Sequence, residues 1–433
     1  MKLFCILSFL TALTANAARN SSGTLNIDQA VSEAQGKSPE IQSAEAAAEE
    51  AGWKRTEALS GFLPSITAGY THYLKEKYEV LNLNFGGAPL AFQTIYPTST
   101  ASLNATLPIF DGFSNVYTLS SASHLKSAAE ENYEWAGFKV SQSVRLSFLK
   151  ALAAQKLQAV SQENLKTITD HLNQTQMLKH GGVATNYDVL RVEVQLNEAK
   201  SGVLQSDDNV VLARRQLAIA MGLDGDDREL QGELTVPDSK PIEPISNPET
   251  PSRADLSALA DQTEAASKRA SAAATYLVPR VSLVGQLVEY NDLDSSWSNN
   301  ASYRAAYNLG ITLTWNIFDG MTSISRSREA VYQKVQSEKS LEQARLQIPY
   351  DFDFWKRRYL YSAALYVSKK SDVDRSEEAV RLAREGFKAG TRTSSEVLDS
   401  ELDLFRSRAG AVNAQIDCAE AKINLELALG RTL

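Results

Sequence analysis

The 433-residue sequence lacks most features that define enzymes, nucleic-acid-binding proteins and disulfide-rich folds. Its four histidines are scattered and neither HExxH nor GxSxG occurs, so we expect no enzyme activity, no metal site and no cofactor. A net charge of −8 lacks the cationic excess that phosphate binding requires, which argues against a nucleic-acid partner. No apolar run of 18 residues follows residue 18, so the sequence predicts no membrane-spanning helix.

The amino terminus has the order of a secretory signal peptide over residues 1–17. A basic residue precedes an apolar run that ends in Ala-Asn-Ala, so we expect cleavage before Ala18. A short membrane anchor is the alternative, but the apolar run is too short to span a bilayer. Cys5 would leave with the signal, and Cys418 would then have no partner for an internal disulfide. An exported chain without apolar helices can enter a membrane only with strands.

The same pattern occurs twice along the chain, which indicates an internal duplication. Near the start of the strand region of each repeat, LPSITA (63–68) and VPRVSL (278–283) are 215 residues apart. This offset is seven residues longer than the offset of 208 that separates the later landmarks. The extra residues fall in segment 80–97, which we expect to be a longer loop in the first repeat. Three later pairs of landmarks are each separated by 208 residues: LPIFDG (107–112) and WNIFDG (315–320), GVATNYDVL (182–190) and GTRTSSEVL (390–398), and LAIAMG (217–222) and LELALG (425–430).

These landmarks divide the chain into two structural repeats and a connector. The connector is rich in proline and acidic residues and is not expected to be helical for long. Each repeat is expected to contain a helix, a pair of strands and two long helices. The predicted boundaries are a signal peptide at 1–17, a first repeat at 18–222 with strand pair 64–110 and long helices 113–222, a connector at 223–252, and a second repeat at 253–433 with strand pair 278–318 and long helices 321–433.

Strand patterns occur in one place in each repeat. Residues 307–317 alternate strictly between apolar and small or polar side chains, and residues 103–109 do the same. Weaker alternation covers 65–73 and 281–290. Each segment has about the ten residues that a tilted membrane strand requires. Taken alone, the pattern fits either a membrane sheet or a small soluble sandwich.

Long helices are predicted after each strand pair. From Phe113 to about His180 no proline occurs, and a helix of that length would extend about 100 Å. The next helix carries a heptad seam, in which apolar or small residues recur at alternating steps of three and four. The seam positions are Val189, Val192, Leu196, Ala199, Val203, Ser206, Val210, Ala213, Leu217 and Ala220. The second repeat has the same seam with smaller side chains, and Cys418 occupies one of its positions as a small buried residue. The sequence therefore predicts a mainly α fold with a small β part.

Four strands per chain cannot close into a barrel. Open strand edges inside lipid would leave backbone N–H and C=O groups unpaired, and the smallest membrane barrels have about eight strands. The narrow apolar seams of the helices also need lateral partners. We therefore expect several copies to assemble side by side into one strand cylinder continued by one helix cylinder.

As a set, the duplicated plan, the PIFDG and NIFDG strand exits and the AGTRTSSEVLD turn resemble the TolC family of outer-membrane efflux proteins, from about Leu25 to Leu433. The resemblance implies a homotrimer whose strands form one outer-membrane β-barrel in contact with lipid. It implies that the long antiparallel helices form a periplasmic α-barrel. It also implies a periplasmic adaptor (a membrane fusion protein) and an inner-membrane pump as partners, in tripartite efflux or type I secretion of drugs, metals or proteins.

The turns at Gly182 and Gly390 lie farthest from the strands, which is the periplasmic tip in the resembled family. Glu396 and Asp399 are three residues apart and therefore share one helix face. The resemblance implies that they line the pore constriction, where threefold symmetry would stack two acidic rings that attract cations. Crowding in such rings is expected to raise some of their pKa values. The alternative is that both are solvated residues of a helix surface.

The resemblance also implies a latch that holds the tip shut, in which Arg392 of the second turn bonds Asp188 and Tyr187 of the first. A charge-assisted bond of this kind is weak enough for a latch that must open. The sequence departs from the family pattern at Phe387, where a tyrosine would supply a second hydrogen bond, and at Arg191, whose repeat counterpart is acidic. The latch is therefore expected to be weaker or rewired.

The main alternative function is a periplasmic coiled-coil adaptor or a structural protein of an envelope complex. Such a protein would share the long helical hairpins but would not need two alternating strand pairs with aromatic loops. The sequence therefore favours an outer-membrane exit duct that conducts cargo passively and is gated at its helix tips.

Overall fold

A computed structural model describes residues 23–74, 78–95, 99–234, 253–291 and 303–433. The signal peptide expected at 1–17 and most of the connector expected at 223–252 lie outside these ranges. In chain order the elements are β1 (Thr24–Leu25), α1 (Ile27–Lys37), α2 (Pro39–Ser60), β2 (Ser65–His72), β3 (Tyr78–Phe85), β4 (Ala88–Ile95), β5 (Ser99–Phe110), α3 (Ser114–His180), α4 (Asn186–Ala220), β6 (Glu229–Leu230), α5 (Ala254–Ala274), β7 (Arg280–Asn291), β8 (Tyr303–Thr314), α6 (Thr322–Lys388) and α7 (Ser394–Leu429).

The long helices follow the predicted repeat. α3 and α6 each contain 67 residues, about 100 Å of helix, and their first and last residues are related by the same offset of 208. α4 and α7 pack against them, and every position of the two predicted heptad seams is buried or partly buried. Cys418 is one of the buried seam residues and packs with Phe352 and Tyr359. The mainly α, internally duplicated fold is thus confirmed.

The helix predicted at the start of the first repeat is divided into α1 and α2. Pro39 is the first residue of α2, and Ser38 before it is extended, with φ −62° and ψ +123°. The ring of a proline disfavours helical backbone in the preceding residue, which ends α1 at this point. Among the described residues, no helix is both long enough and apolar enough to cross a membrane.

The four predicted strands form one antiparallel sheet in the order β2-β5-β7-β8, with β2 and β8 at its edges. Register pairs include Leu103 with Leu287 and Arg280 with Thr314. The strand expected at 307–317 begins earlier, at Tyr303, and ends at Thr314. Pairing stops there because the next partner would be Pro279, which has no N–H to donate.

Segment 80–97 was expected to be a loop, and this expectation is wrong. β3 and β4 form an antiparallel hairpin in which Tyr78 pairs with Ile95. The connecting residues Gly86 and Gly87 have φ of +62° and +91°, and positive φ at both central positions is what a tight hairpin turn requires. The alternation in LNLNF followed by Gly-Gly is a hairpin signal in the sequence.

Candidate functional site at the helical tip

Two helix–helix turns lie at the end of the long helices that is farthest from the sheet. Gly182 lies between α3 and α4 with φ +77°, and Gly390 lies between α6 and α7 with φ +74°. Both adopt the left-handed conformation that ends many helices and that glycine adopts without strain. The N–H of Val183 donates to the Leu178 carbonyl at 2.9 Å, and the repeat-equivalent bond closes the second turn at the same length.

The acid that follows each turn belongs to a helix capping box. Thr185 and Thr393 are the N-caps of α4 and α7. The Asp188 carboxylate accepts from the N–H of Thr185 at 2.9 Å, and the Glu396 carboxylate accepts from the N–H of Thr393 at 2.7 Å. The Thr185 hydroxyl and N–H lower the pKa of Asp188, and the Thr393 N–H and hydroxyl lower the pKa of Glu396. The Thr-x-x-acid spacing is the sequence signal for this cap, and it was not among our predictions.

Glu396 and Asp399 each contact an arginine of the same chain. Arg392 donates to Glu396 Oε1 at 3.1 Å, and Arg191 donates to Asp399 Oδ1 at 2.9 Å. All four side chains are at least one-third exposed. Arg191 is the repeat counterpart of Asp399, so α4 and α7 meet here through equivalent positions.

The contacts of Arg392 within one chain differ from the expected latch. Arg392 donates to Glu396, the Asp188 carboxylate accepts from Thr185, and Tyr187 is exposed. These local bonds form because Glu396 lies one helical turn beyond Arg392 and Thr185 caps the helix that contains Asp188. A bond from Arg392 to the first turn therefore stays a prediction, for contacts between neighbouring copies.

A buried polar cluster beside the second turn was missed by the sequence analysis. His171 of α3 is 4% exposed and stacks on Phe387 of α6, with ring centroids 6.2 Å apart. Its Nε2 is 3.0 Å from Oγ of Ser394, at the start of α7. Burial and the nearby Arg384 lower the pKa of His171 to about 4, so the ring is neutral at pH 7. No local pattern reveals this contact, because 223 residues separate His171 from Ser394.

Glu401 of α7 completes this cluster. Its Oε1 accepts from Arg384 Nε at 2.9 Å and from Arg384 Nη2 at 2.8 Å. Its Oε2 is 3.7 Å from His171 Nδ1 and has no hydrogen-bond partner among the described residues. Burial raises the pKa of Glu401, although the Arg384 contact acts in the opposite direction. The cluster therefore joins α3, α6 and α7 next to the tip.

The chemistry of the tip follows from these groups. The exposed acids and arginines can act on passing ions or on a facing protein surface, and the buried cluster can respond to protons. Across the described ranges, no three side chains of the His, Cys, Asp or Glu type come together in a way that could hold a metal ion.

Two tandem hairpins of very long helices joined to one antiparallel sheet form the fold that the sequence resemblance implies. A sequence profile described as "Outer membrane efflux protein" matches residues 30–223 and 250–431. The chain therefore belongs to the outer membrane efflux protein family, which is a family of transport proteins and not of enzymes. The resemblance seen in the sequence is confirmed.

Solved structures of outer-membrane channels share the fold. The outer-membrane channel OprN is 20% identical, with a TM-score of 0.77 over 93% of this chain and 89% of that chain. VceC from Vibrio cholerae is 18% identical, with a TM-score of 0.78 over 94% and 96% of the two chains. CmeC from Campylobacter jejuni is 14% identical, with a TM-score of 0.76 over 97% and 90%. A search of curated protein sequences found no match.

Proposed function

We propose that the chain forms the outer-membrane exit duct of an efflux or secretion system. It would be exported after removal of residues 1–17, and its repeats (18–222 and 253–433) would assemble as a homotrimer. The duct would conduct cargo delivered by an inner-membrane pump and a periplasmic adaptor. Membership of the outer membrane efflux protein family carries this proposal. The similarity in fold to OprN and CmeC, which are named as outer-membrane channels, supports an outer-membrane location.

The exposed face of the sheet supports insertion into lipid. Tyr307, Leu309, Ile311 and Leu313 alternate along edge strand β8 and are 64–86% exposed. A row of exposed apolar side chains is typical of a surface that contacts lipid or another chain. Pairing of β8 with β2 of a neighbouring copy would remove the open sheet edges, which lipid does not tolerate. Three copies would then close a barrel of twelve strands.

The duplication supports an assembly in which copies meet through particular helix faces. Leu398 of α7 is 1% exposed because it packs with Ile168 and Leu172 of α3. Its repeat counterpart on α4, Leu190, is 53% exposed. Because α4 and α6 are the counterparts of α7 and α3, α4 of one copy would pack on α6 of the next in the same way. Repetition of this contact would close a ring of copies.

Cross-linking tests this interface. His171 and Ser394 meet within the chain at 3.0 Å, and their counterparts on the free faces are Ala379 of α6 and Asn186 of α4. The variant Asn186→Cys/Ala379→Cys should give covalent oligomers with a short bismaleimide in membrane fractions. The control moves one cysteine about 16 Å along α4, as Asn197→Cys/Ala379→Cys, and should remain uncrosslinked. Monomers from both variants would contradict the proposed assembly.

Cell fractionation and conductance test the duct itself. We expect the protein in the outer membrane and discrete channels when the purified full chain is added to planar lipid bilayers. Soluble periplasmic protein without channel activity would refute the duct and favour the adaptor function.

We also propose that the tip is the gate of this duct. Glu396 and Asp399 of three copies would surround the constriction. Arg392 would keep the contact of its Nη1 with Glu396 and would reach Asp188 and Tyr187 of a neighbouring copy with its other N–H groups. The exposure of the Glu396, Asp399 and Arg392 side chains supports such a role. Since Arg392→Ala removes the latch, it should increase the resting conductance in planar bilayers. An unchanged conductance would count against the latch.

A further inference from the structure

The two acids of the proposed constriction do not carry isolated charges. Arg392 is 3.1 Å from Glu396 and Arg191 is 2.9 Å from Asp399, and both pairs form within one chain. At a distance larger than this separation, the fields of the two opposite charges largely cancel. An ion in the centre of the tip would therefore meet ion pairs rather than bare carboxylates.

The capping box offsets the charge of Glu396 further. Its second oxygen accepts from the Thr393 N–H at 2.7 Å and from the Thr393 hydroxyl at 3.1 Å. This position is the amino-terminal end of α7, where the helix dipole is positive and stabilises a carboxylate. Glu396 is thus fixed between an arginine and a helix end of its own chain.

Other charges at the turns do not restore a negative excess. Asp188 adds one negative charge and is used by the cap of α4. Lys179 and Lys388 add positive charge at the ends of α3 and α6. The charges of the two turns are therefore close to balance.

We propose that Arg191 and Arg392 set the charge selectivity of the tip by pairing with Asp399 and Glu396, so that the closed constriction discriminates little between cations and anions. This inference rests on the proposed duct and specifies its selectivity. Two rings of unpaired acids would instead favour cations. A charge-balanced tip would admit small solutes of either sign and leave the choice of cargo to the pump.

Reversal potentials in a KCl gradient test this proposal with the full chain in planar bilayers. The unaltered protein should show similar permeabilities for K⁺ and Cl⁻. Arg191→Gln should raise the ratio of K⁺ to Cl⁻ permeability by at least about fivefold, because one unpaired charge about 4 Å away already changes the concentration of one ion in water by about that factor. Asp399→Asn should shift the ratio toward Cl⁻, and Arg191→Gln/Asp399→Asn should return it to the original value.

A matched control removes an arginine that also forms an ion pair with an aspartate but lies far from the tip. Arg357 pairs with Asp353 at 2.7 Å on α6, about 45 Å along the helix from the turn, so Arg357→Gln should leave the selectivity unchanged. Strong cation selectivity of the unaltered channel, or no shift with Arg191→Gln, would overturn the inference and leave the duct intact. Failure to form channels at all would refute the duct and this inference with it.

Discussion

His171 should make the stability of the helical tip depend on pH. Its pKa in the folded chain is about 4, against an ordinary value of 6.5, because burial and Arg384 disfavour the charged ring. The unfolded chain therefore binds a proton between these two values that the folded chain does not. Above pH 6.5 the ring is neutral in both the folded and the unfolded chain, and the free energy of unfolding has its full value. It decreases as the pH falls toward 4, because protonation of the ring favours the unfolded chain. At pH 5 the loss amounts to about 2 kcal/mol per chain.

Glu401 acts in the opposite direction and must be separated from this effect. Its pKa in the folded chain is raised above 4.5, so its burial is unfavourable at neutral pH, and this cost is relieved as the pH falls below its raised pKa. The charged groups around the pair are Arg384 from α6, Glu401 itself from α7 and Asp170 from the helix of His171. The Glu401→Gln background therefore isolates the histidine.

Urea unfolding of the full chain in detergent, followed by circular dichroism at pH 7.5 and pH 5, measures this contribution. Glu401→Gln should lose about 2 kcal/mol of unfolding free energy between the two pH values. In Glu401→Gln/His171→Gln this loss should be absent, since the glutamine can bond Ser394 but does not titrate. Equal losses in the two variants would refute the assigned role of His171.

Two further predictions concern packing. Gly222→Ala should destabilise the fold by about 2–4 kcal/mol in denaturant unfolding, because Gly222 has φ +77° and an added Cβ would lie 2.6 Å from the Lys37 carbonyl oxygen. Gly202→Ala, in open space within α4, should stabilise the fold by about 0.5–1 kcal/mol, and equal effects of the two substitutions would contradict the close approach at Gly222. Cys418 should resist iodoacetamide until the protein is unfolded, because it is buried and burial raises the pKa of its thiol. Rapid alkylation of the native protein would show that the seam is not packed.

Features with a long regular period could be predicted from the sequence. The heptad seams and the 208-residue offset predicted the long helices α3, α4, α6 and α7. A repeated pattern of this kind gives many independent positions that support the same assignment. The β3–β4 hairpin also carried a local signal, in its alternation and its Gly86-Gly87 turn. The segment is longer than its counterpart in the second repeat, and an insertion of this kind was expected to form a loop.

The contacts of the tip could not be predicted in the same way. The pairing of His171 with Ser394 depends on the packing of three helices, and no short pattern encodes it. Within one chain Arg392 pairs with Glu396, because a capping box and an i,i+4 ion pair engage these groups locally. Its bond to the first turn of a neighbouring copy stays a prediction. The Thr-x-x-acid spacing predicts the capping bonds from the sequence. Contacts between different helices can be assigned only once the fold is known.

The number of chains in the native particle tests the central claim most directly. Native mass spectrometry of the full-length protein, extracted from outer membranes in mild detergent, should give three copies per particle. A single chain per particle, with the backbone amides of β2 and β8 already protected from hydrogen exchange, would contradict the account.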